Sequence, residues 1–143
     1  MYIVSACMAG VNCKYNGGHN ADPRVRKLVE EGKAIPICPE QLGGLATPRR
    51  PAEIKGGTGS DVLSGKARVV DADGLDVTGA FIKGAQEVLK LARLANADKA
   101  ILKAKSPSCG CGFIYDGSFS GKLIEGNGVT AQILLDNGIE VQP

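Results

Sequence analysis

Residues 78–104 read TGAFIKGAQEVLKLARLANADKAILKA and decide the fold class, because a helical pattern is followed there by a strand pattern. Apolar residues recur at helical spacing from Phe81 to Ala92, which predicts a helix over residues 78–95. The apolar run that follows predicts a strand over residues 99–104. A long amphipathic helix that leads into a short apolar strand is typical of α/β proteins.

The same alternation continues on both sides of this segment. Strands are predicted at residues 2–4, 34–37 and 139–141, and helices at residues 23–31 and 128–136. Residues 43–60 are predicted to form a loop, residues 62–70 a small strand or hairpin, and residues 113–125 a loop or ribbon. We therefore expect an α/β fold of three layers, in which helices flank a mainly parallel sheet and long glycine-rich loops follow the carboxyl ends of the strands.

Length and composition are those of an ordinary globular protein. The 143 residues suit a single domain over residues 1–143, and the formal net charge of +2 argues against broad binding to nucleic acid or to a membrane. The sequence shows no basic leader and no long apolar run, so we expect a cytoplasmic protein. Five cysteines are too few for a secreted disulfide scaffold. We expect them to be free, metal-bound or catalytic.

Three of the cysteines follow predicted strands. Cys7, Cys38 and Cys109 each come just after a strand, and ligands of open parallel sheets bind outside the carboxyl ends of the strands. If these strands are neighbours, the three thiols converge. Thiolates from scattered segments suit an iron–sulfur cluster, but the single histidine, His19, would complete a zinc site of three cysteines and one histidine. The residues alone leave both alternatives open.

Other side chains near these cysteines suggest proton transfer and substrate binding. Glu40 lies two residues after Cys38, where a carboxylate can move protons beside a bound group. Ser106 and Ser108 precede Cys109, where their hydroxyls can either cap the turn or donate to a substrate atom. Arg49 and Arg50 could grip a phosphate. We interpret the two remaining cysteines, Cys13 and Cys111, as small buried apolar residues.

Four motifs together resemble the thiouracil desulfidase family. They are SACMAGVNCKYNG at residues 5–17, CPEQLGGL at residues 38–45, PR with PAE at residues 48–53, and SPSCG at residues 106–110. The resemblance spans nearly the whole chain, with the motifs in the family's order. It corresponds to the short form of the family, without the extra carboxyl-terminal domain that some members have.

The resemblance implies a four-iron, four-sulfur cluster held by Cys7, Cys38 and Cys109, with one iron open to substrate, and we expect air to remove that cluster easily. It implies that Glu40 is the acid/base of a hydrolytic replacement of sulfur by oxygen, which releases sulfide. It also implies that Ser106 or Ser108 positions the uracil base of the substrate. We further expect Arg49 and Ser5 to bind substrate. A thiolated pyrimidine or mononucleotide is favoured over transfer RNA, since only six residues are aromatic.

Two other functions are compatible with the cysteines. One is a non-catalytic zinc-binding or sulfur-handling protein that uses Cys109 and Cys111. The other is a thiol enzyme without metal, in which Cys109 is the nucleophile. Neither the oligomeric state nor the strand order can be predicted from the sequence.

Overall fold

The computed structural model describes residues 1–143. The strands are β1 (Tyr2–Ser5), β2 (Ala34–Ile37), β3 (Ala52–Lys55), β4 (Arg68–Asp71), β5 (Lys99–Ile101), β6 (Phe113–Tyr115), β7 (Leu123–Glu125) and β8 (Glu140–Gln142). The helices are α1 (Pro23–Glu30), α2 (Pro39–Leu42), α3 (Gly59–Leu63), α4 (Thr78–Leu94) and α5 (Val129–Asp136), and a short 3-10 helix, Ala6–Ala9, follows β1. No helix is both long enough and apolar enough to cross a lipid bilayer.

The central sheet is parallel and has the strand order β2-β1-β5-β8. Successive side chains of a strand point to opposite faces, so neighbouring residues of β1 enter different cores. Ile3 packs with Val88 and Leu134, from α4 and α5, on one face. Val4 packs with Val25, from α1, on the other. The predicted three-layer α/β fold is thereby confirmed.

Helix α2 lies unusually close to α4. At the contact, a Cβ atom built on Gly84 would lie 2.0 Å from the carbonyl oxygen of Pro39, and one built on Gly43 would lie 2.0 Å from the carbonyl oxygen of Ala80. Only glycine leaves room for two backbones at this distance. The pair of glycines therefore sets the position of α2, the one-turn helix that begins directly after Cys38.

The predictions for residues 39–70 were partly wrong. The expected loop over residues 43–60 contains strand β3 and the start of α3, and the residues just before it form helix α2. Only the second half of the strand predicted at residues 62–70 is extended, as β4, which pairs antiparallel with β3. These elements are four or five residues long, and packing around Ile54, Val62 and Val69 holds them together. Such short segments have too few turns or alternations for a periodic pattern to show.

The strand predicted at residues 99–104 is also shorter than expected, since β5 ends at Ile101. Just after β5, the backbone amide of Leu102 still donates to the carbonyl oxygen of Gln142 in β8, at 2.9 Å. The backbone amide of Lys103 bonds instead to the Ser5 hydroxyl at 2.9 Å, and Lys105 has a φ of 69°. Cys109 therefore follows a loop and not the strand itself.

Candidate active site

A cavity of about 820 Å³ lies beyond the carboxyl ends of β1, β2 and β5. Strand β1 connects to β2 on one side and has β5 on the other, so this is the switch point at which ligands of open parallel sheets bind. The residues that line the cavity include four of the five cysteines, Cys7, Cys13, Cys38 and Cys109, together with Glu40, Ser5, Arg49 and Ser106. Cys7, Cys38 and Cys109, which were predicted to converge, thus all line this one cavity.

Cys13 lies between two of the predicted ligands. The pKa of Cys7 is lowered to about 6, first because the Cys13 thiol donates a hydrogen bond to its thiolate and then because Asn20 donates a second. The same Cys13 thiol is the main reason that the pKa of Cys38 is lowered. The pKa of Cys13 itself is raised, because its proton is held by Cys38 and Cys7. Cys13 thus stays protonated while its neighbours favour the thiolate.

Cys109 lies in a turn that is stabilised by hydrogen bonds within the turn and by hydrogen bonds from α5. Within the turn, the Ser106 hydroxyl accepts hydrogen bonds from the amides of Ser108, at 3.1 Å, and Cys109, at 2.9 Å. Outside it, the carbonyl oxygen of Ser108 accepts from the amides of Thr130 and Ala131 at the start of α5. These backbone bonds fix where Cys109 points. Burial, followed by the nearby negative charge of Glu40, raises the pKa of Cys109 to about 12.

Glu40 is held by Ser108 and Arg49, and Cys38 lies beside it. Ser108 Oγ donates to Glu40 Oε1, while Glu40 Oε2 lies 3.4 Å from Cys38 Sγ and 3.6 Å from Arg49 Nη2. The Glu40 side chain is only 14% exposed, and that exposed part faces the cavity. The carboxylate is thereby fixed at the wall of the cavity beside two of the cysteines.

Arg49 and Ser5 make protein contacts that the sequence did not reveal. Arg49 Nη2 donates to the carbonyl oxygen of Cys13 at 2.9 Å, and Nη1 donates to Thr47 Oγ1 at 2.9 Å. The Ser5 hydroxyl accepts from Lys103 and also donates to Cys109, which opposes the rise in the pKa of that thiol. Both residues line the cavity, but their polar atoms are already used to hold the cysteine segments.

Ser106 and Ser108 differ in their access to the cavity. Ser106 lines it, whereas Ser108 is fully buried behind the wall and bonds to Glu40. Of the two serines, only Ser106 is therefore placed to meet a bound molecule. Ser108 influences the cavity through its hydrogen bond to Glu40.

His19 and Cys111 lie outside the cavity. His19 is exposed, and its Nδ1 accepts from the amide of Ala21 at 3.1 Å. Cys111 Sγ is 3.6 Å from the carbonyl oxygen of Val141. These positions offer no support to a zinc site completed by His19 or to one built on Cys109 and Cys111. Cys109 is also buried, whereas nucleophilic cysteines are accessible.

Several cavity residues were missed by the sequence analysis. Cys13 was interpreted as an apolar residue, although its position six residues after Cys7 in one glycine-rich loop could have indicated a shared site. Lys103, Lys105 and Phe119 line the cavity from loops whose path no periodic pattern predicts. Glu53 belongs to a quoted motif, but its contacts depend on a hairpin that lies more than 50 residues further along the chain.

Comparison with known proteins identifies the family of the chain. The family model described as 2-thiouracil desulfurase matches residues 2–143. A solved structure titled as the [4Fe-4S]-dependent thiouracil desulfidase TudS is 41% identical, covers 98% of this chain and 87% of its own, and superposes with a TM-score of 0.85. The uncharacterized protein YbbK of Bacillus subtilis (strain 168) is 55% identical over 141 residues, which are 99% of this chain and 93% of that protein. The chain therefore belongs to the 2-thiouracil desulfurase family.

Proposed function

We propose that this chain is an iron–sulfur-dependent desulfidase, which replaces the sulfur of a thiolated uracil with oxygen. The observation that supports this most strongly is the meeting of Cys7, Cys38 and Cys109 with the fixed carboxylate of Glu40 in one cavity. The overall reaction consumes one water and releases one sulfide. Carbon exchanges a bond to sulfur for a bond to oxygen, so no external oxidant or reductant is needed.

The donors fit an iron–sulfur cluster better than a single metal ion. Two ligands of one zinc ion lie within about 4.6 Å of each other, twice the Zn–S distance of about 2.3 Å. No group of three or more His, Cys, Asp or Glu side chains is arranged to hold one metal ion. Soft thiolates from separate segments that line one cavity suit a polynuclear cluster. Cys7, Cys38 and Cys109 would hold it, and it would supply a Lewis-acidic iron that polarises the carbon–sulfur bond.

Glu40 is the proposed acid/base. Its Oε2 faces Cys38 and Arg49, and its Oε1 is occupied by the Ser108 hydroxyl. A carboxylate held in this way can take a proton from water as the water attacks the ring carbon, and can return it to the leaving sulfur. Ser108 and Arg49 act as positioning residues, since they fix both oxygens of the carboxylate.

The cavity is large enough for a mononucleotide. Its volume of about 820 Å³ lies in the range of about 300–1,000 Å³ that small-molecule sites occupy. Lys103 and Lys105 line it without an ion pair, so they are free to meet a phosphate. We therefore propose a thiolated uridine monophosphate as the substrate in preference to transfer RNA.

Anaerobic reconstitution tests the proposal directly. Protein supplied with iron and sulfide should develop the visible absorption of a cluster and should release sulfide from 4-thiouridine 5′-monophosphate faster than from 4-thiouracil. Cys111→Ser, a cysteine outside the cavity, is the matched control and should behave as the wild type. Stoichiometric zinc in place of iron, or a reconstituted cluster without sulfide release from either compound, would contradict the proposal.

A further inference from the structure

Phe119 occupies an unusual position at the cavity. It lies in the loop between β6 and β7, lines the cavity, and remains 40% exposed. Its φ of 56° falls in the left-handed region that a bulky side chain seldom adopts. Resting on the proposed function, we propose that Phe119 is the surface on which the uracil ring of the substrate stacks, and that Glu53 positions it.

Glu53 holds the backbone of this loop. Its Oε1 accepts hydrogen bonds from the amides of Gly117, at 3.0 Å, and Phe119, at 3.2 Å. Glu53 lies on strand β3, so the carboxylate ties the hairpin loop to a separate sheet. Gly117 adds to this attachment, because a Cβ atom there would lie 2.6 Å from the carbonyl oxygen of Ile54. The strained conformation of Phe119 is thus imposed by the surrounding structure, as is common at ligand sites.

The other aromatic residues of the cavity are less suited to stacking. Phe81 is 3% exposed and belongs to the core. The ring of Tyr15 already has the ammonium of Lys14 over it, 5.9 Å from the centroid. Tyr115 is partly buried in strand β6. Phe119 is in no core cluster, so its ring is available to a ligand.

Stacking predicts a particular kinetic signature. A phenyl ring contacts the face of the pyrimidine, so the stacking energy does not depend on whether sulfur or oxygen is attached at the edge of the pyrimidine. Substrate, transition state and product are therefore stabilised alike, which affects KM and leaves kcat unchanged. Loss of one base–aromatic stack corresponds to roughly a ten-fold weaker binding.

Phe119→Leu is the first test. We expect KM for 4-thiouridine 5′-monophosphate to rise about ten-fold at unchanged kcat, and the calorimetric affinity for uridine 5′-monophosphate to fall by the same factor. Phe119→Tyr should retain both values. Phe113→Leu is the matched control, since Phe113 is 51% exposed on the same hairpin but outside the cavity. An unchanged KM in Phe119→Leu, with an active wild type, would overturn the inference, whereas an inactive wild type would overturn the proposed function.

A double-mutant cycle tests the role of Glu53. If Glu53 acts through Phe119, Glu53→Ala should raise KM about as much as Phe119→Leu, and the double variant should be no worse than either. Glu53→Gln keeps a carbonyl oxygen that can accept both amides, so it should restore the wild-type KM. Additive effects in the double variant would show that Glu53 contacts the substrate itself, which would contradict its assignment as a positioning residue.

Discussion

Replacement of Gly84 by alanine should disturb the proposed active site by displacing helix α2, which packs against Gly84. The added Cβ atom would lie 2.0 Å from the carbonyl oxygen of Pro39, whereas real contacts of this kind stay above 3.0 Å. Helix α2 must therefore retreat by about 1 Å, since two helix backbones cannot interpenetrate. The helix begins directly after Cys38 and includes Glu40, so both residues move with it.

The size of the effect follows from two opposing contributions. Alanine is favoured over glycine inside a helix by about 1 kcal/mol, but overpacking of this kind costs about 1–3 kcal/mol. We expect the free energy of unfolding to fall by up to about 2 kcal/mol, which corresponds to a decrease in Tm of up to about 8 °C for a chain of this length. Activity should fall much further, because a displacement of about 1 Å of a catalytic group can cost about 100-fold.

Thermal unfolding and sulfide release, measured on the same anaerobic preparation, separate the two effects. Gly79→Ala is the matched control, because Gly79 lies in the same helix with nothing within 4 Å of an added Cβ atom. That variant should be as stable as the wild type or more so, and fully active. Wild-type activity and stability in Gly84→Ala would refute the argument that the glycine contact positions α2.

Four further substitutions test the site itself. Glu40→Gln should retain the visible absorption of the cluster but lose about 100-fold or more in kcat, because the amide cannot take up or release the proton. Absorption spectra measure the cluster and sulfide release measures kcat. Undiminished turnover would remove Glu40 from the mechanism. Cys109→Ser should fail to develop the absorption on reconstitution, whereas Cys13→Ser should develop it, and the reverse result would exchange their roles. Arg49→Lys keeps the charge that pairs with Glu40 but not the planar fork that donates to the carbonyl oxygen of Cys13 and to Thr47 Oγ1. We expect kcat, measured by sulfide release, to fall about ten-fold with the cluster intact. An unaltered kcat would show that the fork is dispensable.

The parallel sheet and its long helices could be predicted because their patterns are local and repeated. Helix α4 presents its apolar stripe over 17 residues, and α1 has Asp22 as its cap and Pro23 in its first turn. The convergence of Cys7 and Cys38 follows from the same reasoning, since both lie just beyond neighbouring parallel strands. In a parallel sheet the carboxyl ends of the strands lie at the same edge, so residues that directly follow the strands can be placed at that edge from the sequence.

The remaining parts of the site depend on contacts between distant segments. The sequence near Cys109 indicates a turn. The direction of the thiol, however, is set by the hydrogen bonds that the carbonyl oxygens of this turn accept from backbone amides of α5. The burial of Ser108 and its bond to Glu40 join residues 68 positions apart. Cys13 illustrates the same limit, because its importance lies in its proximity to Cys38, 25 residues away, and not in its own neighbourhood.

The proposed metal ligands and the proposed acid/base are parts of one unit. Glu40 follows Cys38 by two residues on the same turn of helix, and Ser108 directly precedes Cys109. The bond from Ser108 to Glu40 joins these two backbone segments across the cavity wall. Any movement of either cysteine must therefore displace the carboxylate as well.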